Sequence, residues 1–208
     1  MENNWASENL RTIRTLMERS SIYRRALAPI MIVTGVIGLA ATLVSHFISA
    51  DTNFAFASLW IGTALIAFVT ALLLVRRQAL QESELFWSMP TRRVWNGLMP
   101  SFFVGLVVSV LFIIPGLVPA GTSWVLPPVW MLLYGCGLHA AGFFMQRSIK
   151  LFGWMFIFIG VASLFGLLWV SKLQTAEAAH NVMGICFGVI HLAFGIYLFF
   201  TEPRKKVV

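Results

Sequence analysis

Six apolar runs separated by short polar intervals divide the chain, at about residues 26–48, 54–75, 98–118, 124–145, 151–170 and 182–200. Each is close to the ~20 residues that carry an α-helix across a hydrocarbon layer of about 30 Å at roughly 1.5 Å per residue. The pattern predicts an all-α protein, a polytopic membrane bundle of six transmembrane helices. The fourth run is the centre of that arrangement, because it holds no fixed charge yet carries several polar groups. Gly135, His139 and Gly142 fall on one face of it, at i, i+4 and i+7, with Cys136 beside them.

The flanks complete a three-part organisation: residues 1–25, a membrane domain over 26–200, and a basic tail over 201–208. In the first part Ser7 caps and Glu8 opens a helix on which Leu10, Ile13 and Met17 recur at helical spacing with Leu16 beside them. Arg11, Arg14, Arg19, Arg24 and Arg25 occupy much of the rest, so an amphipathic cytoplasmic helix suited to anionic lipid headgroups is expected. The interval 76–97 places Leu80, Leu85, Phe86, Trp87 and Met89 among Arg76, Arg77, Arg92 and Arg93. Residues 76–88 are expected to continue the second span as an interfacial helix ended by Pro90, with Trp87 and Trp95 at headgroup level. The same mixture of aromatic and arginine side chains suits a protein partner, so Arg11, Arg14, Leu16, Arg76, Arg77, Phe86, Trp87, Arg92 and Arg93 are the candidate partner or membrane surface.

Charge then orients the spans. Of 15 Lys and Arg residues, only Lys172 falls on the opposite side from the rest, which puts both termini in the cytoplasm. Composition agrees with a membrane protein, at 59% hydrophobic and 11% charged. The formal charge of +7 lies in segments flanking apolar runs, which reads as membrane surface and not as direct nucleic-acid binding. No cleavable signal is expected, because about 25 mostly polar residues precede the first span.

Pro29, Pro100, Pro127 and Pro128 are expected in first turns, and Pro115 and Pro119 close the third span. None of the eight acidic residues falls within a span, which argues against ion-coupled transport. Glycine instead marks helix packing: Gly135, Gly142, Gly184, Gly188 and Gly195 are expected at close contacts, Gly184 and Gly188 as a small-residue motif. The motif Gly35-Val36-x-x-Leu39 recurs at Gly160 and at Gly188. Common use of glycine in tight packing explains this better than common ancestry.

Chemistry has few carriers. His46 and His180 are expected near the outer surface, whereas His139 and His191 lie about 9 and 13 Å inside the fourth and sixth spans. Opposed histidines on parallel helices are the ligand pattern of a b-type haem, so His139 and His191 are candidate cofactor ligands. Hydrogen bonding across helix interfaces is the bland alternative. Cys136 and Cys186, three and five residues from the histidines, match no zinc spacing, and no metal site is expected. A route for a neutral solute past Thr34, Thr42, Thr63, Thr70, Ser109, Tyr134, Ser163 and His191 is a further alternative, but membrane hydroxyls usually bond back to their own helix. No phosphate loop, zincin motif or paired acid and base is present, so no enzyme activity is expected.

Residues 8–25, ENLRTIRTLMERSSIYRR, and residues 127–154, PPVWMLLYGCGLHAAGFFMQRSIKLFGW, together resemble a group of six-span bacterial inner-membrane proteins to which no activity is assigned. Some of that group accompany a winged-helix transcription regulator. The resemblance implies an inner-membrane location and leans toward regulation. The expected function is therefore a non-catalytic accessory or regulatory subunit, meeting anionic lipid and a protein partner through its basic cytoplasmic face; a haem-binding redox subunit and a small transporter are the alternatives.

Overall fold

The computed structural model describes residues 21–81 and 86–201, and these are helical apart from short connections. The expected N-terminal helix, including Arg11, Arg14 and Leu16, and the tail from residue 202 lie outside the described residues. The helices are α1 (Ser21–Ile48), α2 (Asn53–Gln81), α3 (Met89–Ile113), α4 (Leu126–Ala141), α5 (Arg147–Trp169) and α6 (Ala176–Thr201). Five of them, all but α4, are long and apolar enough to cross a membrane, the make-up of a multi-pass membrane protein.

The boundaries move where local chemistry overrides the apolar pattern. α2 is 29 residues long and passes the expected end at Val75, but Phe86 and Trp87 lie in a turn, so a helix does not reach Ser88. Pro90 does not end a helix; it opens α3, where its missing N–H is needed by no turn before it. With α1 and α3 starting early, Pro29 and Pro100 fall inside helices and not in first turns. Each removes one backbone hydrogen bond. α3 stops at Ile113, ahead of Pro115, and Gly116 and Gly121 take φ of +83° and +74° in the connection to α4.

α4 is the largest departure. It is 16 residues long, opened by Pro127 and Pro128 after a three-residue 3₁₀ turn, Ser123–Val125, and it ends at Ala141, not Met145. At the start of α6, the polar stretch expected as loop is helical: the Thr175 hydroxyl accepts from the Ala178 amide at 3.1 Å, and Glu177 sits in the first turn. Residues Gly184–Ile190 of α6 form a π-helical segment.

Neighbouring helices pack closely in the order α6, α1, α2, α3, α4, α5. The α1–α6 seam is antiparallel and lined with glycine: a methyl group on Gly35 would fall 2.6 Å from the Leu192 nitrogen, and one on Gly188 2.8 Å from the Leu39 side chain. Two copies of the Gly-Val-x-x-Leu motif thus pack reciprocally, glycine of one against leucine of the other. Gly184 meets Thr42 and Gly195 meets Ile32 on the same seam. Between α4 and α5, Gly135 faces Gly153 and Ile157, and Gly142 faces Lys150. The side of α6 turned to α4 and α5 is filled by rings, among them Phe152 and Phe194 stacked at 4.1 Å.

The buried side chains form two layers. One gathers Leu27, Met31, Met131, Ile149, Phe152, Phe156 and Leu198; the other gathers Phe56, Trp60, Phe112, Leu126, Ala179 and Met183. Beyond the first layer lie Arg76, Arg77, Arg92, Arg93, Arg147 and Lys150, and beyond the second lie Asp51, Lys172 and Glu177. Among the described residues the two ends of the bundle therefore differ in charge.

Candidate functional site

Each layer encloses one histidine. His191, fully buried, starts the last α-helical stretch after the π segment, and its backbone N–H donates to the Gly188 carbonyl. Its ring reaches back five residues, with Nδ1 3.0 Å from the Cys186 carbonyl. A carbonyl only accepts, so the proton is on Nδ1 and Nε2 is an acceptor. The Tyr134 hydroxyl of α4 donates to Nε2 at 2.8 Å. Phe152, Phe156 and Phe187 surround the imidazole at ring-centre separations of 5.2 to 5.6 Å. Aromatic rings pack around the imidazole, and the neutral ring has both nitrogens paired.

His180 is the counterpart at the other end. It is only 2% exposed, which corrects the expectation of a surface position. Phe56 packs against its ring at 4.5 Å, and the helix start at Ala176 carries it inward. Here the tautomer is opposite: Nε2 donates to the Ala50 carbonyl at 3.1 Å, and Nδ1 accepts from Trp60 Nε1 at 3.0 Å. Indole N–H has no acceptor capacity, so this arrangement is consistent only with a neutral imidazole. The exposed His46 joins Asn181 at 3.2 Å nearby, so both histidines help close the α1–α2 connection against α6.

His139 is separated from His191 by α5. Its ring touches Phe143 and Trp154, at 5.3 and 5.4 Å, whereas His191 contacts Phe152 and Phe156 on another face of that helix. Its Nδ1 is enclosed with no partner. Since both nitrogens of His191 are engaged, this pair does not fit as axial ligands to a haem. Cys136 is exposed and Cys186 buried, and among the described residues no three of His, Cys, Asp and Glu gather closely enough to hold a metal.

Four hydroxyls of the spans bond to their own helices. Thr42, Thr63, Thr70 and Ser109 each donate to the carbonyl four residues before, at 2.6 to 3.0 Å. Ser109 also accepts from Trp130 Nε1 at 2.9 Å, which joins α3 to α4.

The remaining candidates lie at the basic end. Arg76, Arg77, Arg92, Arg93 and Trp87 are exposed, and Phe86 is half-buried. Phe86, Trp87, Trp95, Phe68, Phe102 and Tyr134 follow one another with ring centres 5.7 to 6.4 Å apart. Such spacings are those of packed aromatic pairs. A continuous row of rings therefore runs from the α2–α3 connection to the Tyr134–His191 pair. The sequence showed each of these aromatics but not their order, because they come from three helices and a turn. Nor did it show that Arg93 lies 5.7 Å over the Phe144 ring and Lys150 3.7 Å over that of Phe143.

No protein-family model, curated protein or solved structure matches the chain.

Proposed function

We propose that the protein is a non-catalytic accessory or regulatory subunit of a bacterial inner membrane, with six spans and both termini in the cytoplasm, that meets a protein partner through its basic end. The observation that carries this reading is the segregation of charge. Arg76, Arg77, Arg92, Arg93, Arg147 and Lys150 share one end, while the described carboxylates, Asp51 and Glu177, lie at the other. Cationic flanks are retained on the cytoplasmic side of bacterial membranes. Counting α4 as a span is supported by length: 16 residues at about 1.5 Å and three 3₁₀ residues at about 2 Å give about 30 Å.

The α2–α3 connection is the surface best suited to a partner. Trp87 is 51% exposed there beside Arg92 and Arg93, a combination common in binding hot spots. The aromatic row behind it gives a change at Trp87 a packed route to Tyr134. A photo-crosslinking residue at Phe86, in cells making the full chain, tests the reading. Capture of one defined protein supports it; capture of lipid alone contradicts it.

A further inference from the structure

We propose that the turn at residues 142–146, between α4 and α5, seats the phosphate of an anionic phospholipid headgroup. Three cations bracket this turn from two elements. Arg93 of α3 lies over Phe144, Lys150 of α5 lies over Phe143, and Arg147 is exposed at the first position of α5. The stem of Lys150 also packs on Gly142, in a contact that any larger residue at 142 would displace.

The start of α5 lacks the negative charge that a helix N-terminus ordinarily attracts. This helix of 23 residues has no acidic residue in its first turn and no side-chain cap from Gln146. Arg147 and Lys150 there add positive charge to the positive end of the helix dipole, which is unfavourable without a nearby anion. Among the described residues no carboxylate lies at this end of the bundle to supply it. On either side of Arg147, Gln146 Nε2 and Ser148 Oγ are enclosed with no hydrogen-bond partner. An uncapped helix start and three cations therefore flank one turn, and a phosphate diester offers both the charge and the acceptors.

The surroundings select a lipid over a soluble anion. Phe143 and Phe144 are 63% and 43% exposed, and Trp154 and Leu151 on the adjoining face of α5 are 44% and 58% exposed. A headgroup bound at the turn would lay its acyl chains along that apolar face. The inference rests on the reading that this end lies at a membrane surface, but it does not need a protein partner at Phe86.

Thermal unfolding of the full chain in neutral detergent, titrated separately with phosphatidylglycerol, phosphatidylcholine and inorganic phosphate, tests it. Phosphatidylglycerol alone is expected to raise the midpoint. Arg147→Gln with Lys150→Gln should weaken its apparent affinity about 30-fold, from about fivefold per cation. Arg76→Gln with Arg77→Gln, at the end of α2, should leave it within about twofold, being outside the seat. Arg147→Gln alone, at an exposed position, should give about a fivefold loss if the double variant does not fold. An equal response to phosphatidylcholine, a response to inorganic phosphate alone, or equal losses in the α2 and α5 variants would overturn the proposal. None of these outcomes bears on whether Phe86 captures a protein.

Discussion

The hydroxyl of Tyr134 lies 2.8 Å from Nε2 of His191, and this bond joins α4 to α6 across a seam otherwise filled by aromatic rings. The other ring nitrogen is held by the Cys186 carbonyl inside the π segment, so the imidazole is fixed in position and tautomer. Tyr134→Phe keeps the ring packing and removes only the donor. It should destabilise the bundle by about 1 to 2 kcal/mol, the scale of an interhelical hydrogen bond in membranes. Reversible unfolding in mixed micelles measures this. Combined with His191→Leu the loss should be clearly less than additive, since the Tyr134 hydroxyl and Nε2 are then removed together and neither strands the other.

Because both nitrogens of His191 are used, the purified protein should show no Soret absorbance. A low-spin haem spectrum abolished by His191→Ala would require Tyr134 to leave Nε2, and the arrangement described above would be wrong.

The Trp60–His180–Ala50 set closes the opposite end. Trp60→Phe removes the donor to Nδ1 and should loosen the α1–α2 connection, where Ser49 has a φ of +50°. Amide hydrogen exchange at Ala50 and Asp51 should quicken several-fold, while exchange near Tyr134, in the other layer, stays as in the parent. Unchanged exchange at Ala50 would mean that the indole bond does not hold the connection.

Glycine substitutions separate tight seams from open surface. Gly35→Ala places a methyl group against backbone of α6 and should cost about 1 to 3 kcal/mol. Gly62→Ala meets nothing within 4 Å and should be neutral or gain up to about 1 kcal/mol from helix propensity. Unfolding midpoints of the two variants check the order, and a reversal would contradict the α1–α6 packing.

Much of the architecture was legible because a bilayer demands long apolar runs, and the runs mark where α1, α2, α3, α5 and α6 lie. The length of α4 was not, since Phe143, Phe144 and Met145 are as apolar as a helix interior but turn away after Gly142. His180 was misread because TAEAAHN has the composition of a loop; the signal was present in Thr175 as a cap with Glu177 in the first turn. The Gly-Val-x-x-Leu recurrence was visible as a pattern, but its reciprocal packing depends on α1 and α6 being antiparallel neighbours. His139 and His191 occupy similar glycine-lined settings in sequence, yet face different sides of α5, which no periodicity within one helix reports.

The central claim is that the basic end of the bundle faces the cytoplasm and is the working surface. Single cysteines introduced as Lys172→Cys and Arg76→Cys, with Cys136 and Cys186 replaced by alanine, test it directly in intact cells with a membrane-impermeant maleimide. The account predicts labelling of Lys172→Cys in intact cells and of Arg76→Cys only after permeabilisation. Labelling of Arg76→Cys in intact cells would contradict it.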